Sequence, residues 1–171
     1  MKLVITDANI FIDLDFCGLI KVFFDLGLSI VTTWEVINEM SEPQQALYEH
    51  WVINGALVVH EFTLDKLSEA AINKANNRLS DVDQALLLLA IQLQAMVLSG
   101  DRFLRKACER LQVEVHGILW VFDQLILGNL ITPGKAAEIL SSLQTFNERL
   151  PSDACEERLI RWKENSGEQS A

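Results

Sequence analysis

The chain has 171 residues, half of them apolar, which suits one domain with a real core, or one domain plus a small extension, and excludes a disordered chain. Its net charge of −10 argues against a protein that coats nucleic acid through a broad basic surface, while leaving room for a local site of the opposite sign. Three widely spaced cysteines, Cys17, Cys108 and Cys155, show neither a disulfide framework nor metal-ligand spacing, and favour a reducing compartment. Asp7, Asp13 and Asp15 interrupt the N-terminal apolar run, which makes a poor signal peptide, and the longest apolar run, residues 85–91, is far too short to span a bilayer. A cytoplasmic protein with no membrane contact is expected.

In chain order, residues 2–6 read as a first strand and 11–26 as mostly helical. Residues 29–32 read as a second strand; Thr32 or Thr33 can cap a helix through Met40, and Thr32 with Glu35 fits a capping box. Residues 44–54 have a helical pattern, 56–60 that of a strand and 63–76 that of a helix. Ser80 opens an almost wholly apolar helix over 81–94. Residues 95–98 are a strand leading into Ser99-Gly100-Asp101, 103–111 a basic helix and 113–116 a last strand. Alternating strands and helices predict a parallel sheet with helices on both faces, and the nearly continuous apolar strands agree, because such strands are buried on both sides. The expected class is therefore α/β, a three-layer α/β/α sandwich around a central parallel sheet, with C-terminal helices.

Beyond Gly117 the pattern is all helical. Thr132-Pro133 has the form of an N-cap with proline at the first helical position, opening a helix to about Arg149. Pro151 breaks it, and Ser152 or Asp153 starts another that ends near Lys163. The organisation read from this is a domain over 1–131, a helical extension over 132–164 and a flexible polar tail over 165–171.

Chemistry enters through carboxylates. Asp7 and Asp101 each directly follow an apolar strand or its short turn, and in an open parallel sheet ligands bind outside the carboxyl ends of the strands. Glu39, near the end of the helix after the second strand, and Asp83, in the first turn of the apolar helix, can join them. Converging carboxylates raise one another's pKa values unless they share a cation, and an oxygen-only donor set favours Mg²⁺ or Mn²⁺. Such a site suits metal-assisted attack of water on a phosphodiester. Each acid also has a plainer role. Asp7 can cap the following helix, Asp101 can be a turn aspartate, and Ser80 with Asp83 forms a capping box. Glu39 has a rival in Glu35, one turn away, and Asp83 has one in Asp81.

Four segments together resemble the PIN-domain nucleases, a family that includes the VapC-like toxins of bacterial toxin–antitoxin pairs. LVITDANIFIDL resembles the family's opening strand, with Asp7 as first acid and Asn9 as its neighbour. Val36-Ile37-Asn38-Glu39 resembles the segment ending in the second acid. Leu79-Ser80-Asp81-Val82-Asp83, followed by Ala85 and Ala90, resembles the segment of the third, and Leu98-Ser99-Gly100-Asp101-Arg102 that of the fourth, with Ser99 as the small hydroxyl before it. The likeness spans roughly residues 1–126. It implies a Mg²⁺- or Mn²⁺-dependent endoribonuclease with Asp7, Glu39, Asp83 and Asp101 as metal-binding and catalytic acids, supported by Asn9, Ser99 and Asp81. RNA is then the substrate, and a small antitoxin protein and a second copy of the chain are candidate partners.

Arg102, Arg105 and Lys106 fall at i, i+3 and i+4 beside the acids, either a phosphate-binding strip for RNA or an ordinary solvated face. His50, His60 and His116 have no partner at metal spacing; Trp34, Trp51, Trp120 and Trp162 read as packing residues before base-stacking ones. Two rival functions remain open. A PIN-like scaffold can bind RNA or protein without cleaving. A haloacid-dehalogenase-like phosphatase also places an aspartate after its first strand, but its chemistry wants a second carboxylate two residues on, where this chain has Asn9.

Overall fold

Short apolar segments separated by capped helices leave the backbone one economical arrangement, with the strands side by side and the helices crossing between them. The computed structural model describes residues 3–61 and 79–168. Among these, the strands are β1 (Leu3–Thr6), β2 (Ser29–Thr33), β3 (Leu57–His60), β4 (Met96–Leu98) and β5 (Val115–His116). They form one sheet in the order β3-β2-β1-β4-β5, every pair parallel. Ile5 lies at the centre, opposite Val31 on one side and Val97 on the other. Val4, Ile5, Ile30, Val31, Met96, Val97 and Leu98 are all buried, as central parallel strands covered on both faces require.

The helices are α1 (Ala8–Phe16), α2 (Ile20–Phe24), α3 (Trp34–Glu39), α4 (Glu42–Ile53), α5 (Asp81–Leu93), α6 (Arg102–Arg110), α7 (Ile118–Leu127), α8 (Pro133–Phe146) and α9 (Ser152–Glu168). The fold class is the expected one: an α/β fold with a parallel sheet flanked by helices, and further helices at the C-terminal end. The expected helix over 63–76 lies outside the described residues, as does Lys2 of the first strand.

Local physics explains where the boundaries differ. The helix expected over 11–26 starts earlier, at Ala8, and is interrupted near Gly18, which takes a left-handed φ of 64° that no helix can continue. Thr33, not Thr32, caps α3, its hydroxyl accepting from the Val36 amide at 3.4 Å. The Thr32 hydroxyl instead donates to the Thr6 carbonyl at 2.8 Å, so the expected Thr32–Glu35 capping box does not form: cross-strand burial claims that side chain. Ser41 opens α4 two residues ahead of expectation, with the Gln44 side chain accepting from its amide at 3.1 Å. Ser80 and Asp83 form the expected capping box at α5.

The chain groups into two compact units, Met1–Ile12 with Gly27–Gly117, and Asp13–Leu26 with Ile118–Ala171. The first holds the sheet and α3 to α6. The second is helical: Phe23, Phe122, Leu125, Leu140, Leu143 and Trp162 are among its buried apolar groups, and Phe122 and Trp162 pack with ring centroids 5.9 Å apart. Asp123 on α7 receives Arg158 at 2.7 Å and Arg161 at 2.8 Å from α9. The end of α8 is tied to α1 by the Asn147 side-chain amide, 3.0 Å from both oxygens of buried Asp13, and by Phe146 stacked on Phe16 at 4.1 Å. Among the described residues no helix is long and apolar enough to cross a membrane.

Candidate active site

From β1 the chain steps outward to β2 and β3, then returns to the other side of β1 for β4 and β5. The strand order therefore reverses between β1 and β4, where open parallel sheets place their ligands. Asp7 is the first residue beyond β1 and Ser99 the first beyond β4. The ladder locks the two ends together: the Asp7 amide donates to the Leu98 carbonyl at 3.0 Å, and the Ser99 amide to the His116 carbonyl at 2.9 Å.

Asp7 is only 5% exposed. Its Oδ2 accepts from the Ser99 hydroxyl at 2.7 Å and from the Asn9 side-chain amide. Burial nevertheless pushes its pKa from 3.8 up to about 6; the Ser99 bond opposes the shift, and the charges of Asp83 and Glu39 add to it. Hydrogen bonds from neutral donors do not offset the loss of water when the charges of Asp83 and Glu39 add to it.

Around this carboxylate runs a closed set of bonds. Asn9 turns its other amide atom, Oδ1, to the Gly100 amide at 2.8 Å. The Ser99 hydroxyl, donating to Asp7, accepts from the Asp101 amide at 3.0 Å. Asp101 caps α6, its Oδ1 accepting from the Phe103 amide at 2.8 Å and the Leu104 amide at 2.9 Å. Gly100 is a further residue that the site needs. A Cβ there would stand 3.2 Å from Asn9 Oδ1, so a glycine between Ser99 and Asp101 is the signal for the close approach.

Asp83, half-buried, has its pKa raised by burial, with the charge of Asp101 adding and its two bonds from Ser80 opposing. Glu39, the last residue of α3, is raised by burial and by Asp83 although it is exposed. Asp7, Glu39, Asp83 and Asp101 thus form one electrostatic neighbourhood. Asp81 is exposed at the first position of α5.

Oxygen donors, a buried carboxylate and mutual repulsion match what a hard divalent cation needs, so the donor chemistry fits Mg²⁺ or Mn²⁺. The side-chain positions are less convergent than expected. Among the described residues no group of three or more His, Cys, Asp or Glu side chains is placed to hold a metal ion. The physical reason lies in the caps: Asp83 Oδ2 and Asp101 Oδ1 are both turned to helix N-termini. Burial pushes the Cys108 thiol up to about 12, so it is protonated at neutral pH.

The basic strip is not uniform. Arg102 and Lys106 are exposed, while Arg105 is half-buried and its Nη1 donates to the Ser99 carbonyl at 3.2 Å. Two exposed aromatics stand in the first turns of helices at the same edge of the sheet: Trp34, 46% exposed at the start of α3, and Phe103, 39% exposed at the second position of α6. Trp34 is thus no part of the core of a single chain, whereas Trp162 is buried in it.

The DUF3368 PIN-domain family model matches residues 3–164, a span that includes α8 and most of α9. A solved structure of a PilT N-terminus domain protein, SSO1118, from the hyperthermophilic archaeon Sulfolobus solfataricus P2 is similar with a TM-score of 0.45 and 10% sequence identity, covering 70% of this chain and 89% of that one. No curated protein matches the chain.

Proposed function

Because the chain belongs to the PIN-domain family, a nuclease-type fold, we propose that it is a metal-dependent endoribonuclease that hydrolyses RNA phosphodiester bonds at the β1/β4 edge. The observation that carries this reading is Asp7: a carboxylate buried at the switch point, its pKa raised to about 6, with the charges of two further carboxylates acting on it. Such a group is stabilised by a bound cation far more than by the neutral donors it has.

In this reading Asp7 and Asp101 hold Mg²⁺ or Mn²⁺, with Asp83 and Glu39 contributing directly or through water. Once bound, the ion supplies Lewis-acid stabilisation of charge on the attacking or leaving oxygen. The chain's own residues set the geometry. Ser99 and Asn9 fix the rotamer of Asp7, and Ser99 at the same time holds the Asp101 amide. Exposed Arg102 and Lys106 meet the phosphates, offsetting locally the chain's overall negative charge.

The test is cleavage of single-stranded RNA by chelator-treated protein, with and without added Mn²⁺ or Mg²⁺. Metal-dependent cleavage that disappears in Asp7→Asn and in Asp101→Asn, both folded by circular dichroism, is the expected result. Unchanged cleavage in folded Asp7→Asn overturns the site. The two losses will not add, since the residues share one ion.

One observation favours a competing reading, a scaffold that binds without cleaving: the absence, among the described residues, of a group of three placed ligands. RNA binding without cleavage in every metal would decide for it. We further propose that the chain is the toxin of a toxin–antitoxin pair, on its likeness to the VapC-like toxins. A small adjacent open reading frame whose product suppresses the activity is the expected finding.

A further inference from the structure

Arg105 stands apart from its neighbours on α6. Its side chain is half-buried, and Nη1 lies 3.2 Å from the Ser99 carbonyl. Gly117, just beyond β5, lies beside it: a Cβ at that position would be in ordinary contact, 3.4 Å from Nη1 and 3.7 Å from the Ser99 carbonyl oxygen. The Ser99 backbone is held at both its flanking peptides, its amide by the His116 carbonyl in the sheet and its carbonyl by the guanidinium. That residue carries the hydroxyl through which Asp7 and the Asp101 amide are joined. A hydroxyl that must donate to one group and accept from another tolerates little rotation of its own backbone.

We propose that Arg105 is a positioning residue, bracing the Ser99-Gly100-Asp101 turn so that Asp7 and Asp101 keep their places, and that it is not part of the RNA-contacting strip with Arg102 and Lys106. This rests on the nuclease reading only for its effect on turnover; the brace itself is a property of the protein alone. A guanidinium suits the task because it is charged at every working pH and presents donors in a rigid plane, whereas a lysine ammonium is a flexible point donor. The division of labour also explains how a strip at i, i+3 and i+4 can hold one half-buried member: α6 buries Leu104, Ala107 and Cys108, and Arg105 follows Leu104 at the boundary of that face.

The experiment compares Arg105→Gln and Arg105→Lys with Arg102→Gln and Lys106→Gln. Amide hydrogen exchange, which needs neither metal nor RNA, reads the brace directly. Exchange at Gly100 and Asp101 should quicken at least tenfold in Arg105→Gln, less in Arg105→Lys, and stay at the wild-type rate in the other two. In RNA cleavage, Arg105→Gln should lower kcat at least tenfold with KM within twofold. Arg102→Gln and Lys106→Gln should raise KM and flatten its salt dependence with kcat kept. Wild-type exchange rates at Gly100 and Asp101 in folded Arg105→Gln would overturn the brace. So would a KM and salt response equal to that of Arg102→Gln. Should Arg105→Gln not fold, the same comparison is made on Arg105→Lys. A wild-type protein that cleaves no RNA defeats the nuclease reading and leaves the exchange result to decide this one.

Discussion

Ser99 and Asp7 lie 92 residues apart in the chain, yet the serine hydroxyl donates to Asp7 Oδ2 at 2.7 Å while accepting from the Asp101 amide. Ser99→Ala removes both bonds at once. The buried Asp7 carboxylate then loses a donor and the Asp101 amide its acceptor, at a stability cost of about 1–3 kcal/mol. Thermal melts should show that loss, and Mn²⁺ affinity by titration calorimetry should fall with it. Ser99→Ala with wild-type melting and metal affinity would remove the hydroxyl from the site.

The pKa of Asp7 carries a stability prediction whose sign is set by linkage. Its folded value, about 6, exceeds the ordinary 3.8, so between these values the native state binds more protons than the unfolded one. Its contribution is fully present below about pH 4 and is lost as pH rises through 6, an effect of about 3 kcal/mol at 1.4 kcal/mol per unit. Asp7→Asn lacks this loss. In chelator, its melting temperature relative to wild type should climb from pH 4 to pH 7. Saturating Mn²⁺ should stabilise the wild type at pH 7, little at pH 4, and Asp7→Asn at neither. A pH-independent difference between the two proteins would contradict the buried-carboxylate account.

Capping and catalysis separate at Asp83. Its cap to Ser80 is real, and Asp83→Asn weakens the interaction with the helix dipole by about 1 kcal/mol or less. Cleavage should nevertheless fall by orders of magnitude, while Asp81→Asn, altering an exposed residue, should leave cleavage within a few fold. Activity that declines only in step with melting temperature would make Asp83 structural and turn attention to Asp81.

A homodimer is expected through the helical unit. Leu140, Leu143 and Trp162 are already buried within one chain, so the apolar stripe of α8 and α9 is largely satisfied there. Phe16 and Phe146, stacked face to face and 44% and 49% exposed, remain as an apolar pair, with Ile160 also exposed. Light scattering at micromolar concentration should give a dimer for the full chain and a monomer for Phe146→Asp. A monomeric wild type rules the dimer out. Ending the chain before Thr132 is the poorer test, because it would uncover the buried residues of α7.

Much of the architecture was legible because the information is local. Parallel strands buried on both faces appear as apolar runs such as Met96–Leu98, caps such as Ser80 sit next to the helices they open, and Asp7 follows its strand directly. Those patterns carried the fold class and the family likeness. What is not local could not be read. Thr32 and Thr33 are equally good caps on paper, and only the Thr6 carbonyl across the sheet decides between them. Asp13 reads as one of several acids after the first strand; the amide that meets it belongs to Asn147, 134 residues on. Arg105 has the spacing of its basic neighbours, and only the turn packed beside it separates a brace from a phosphate contact. Periodicity and capping are set within a few residues. Which polar atom is buried, and against what, is settled only when distant segments exclude water together.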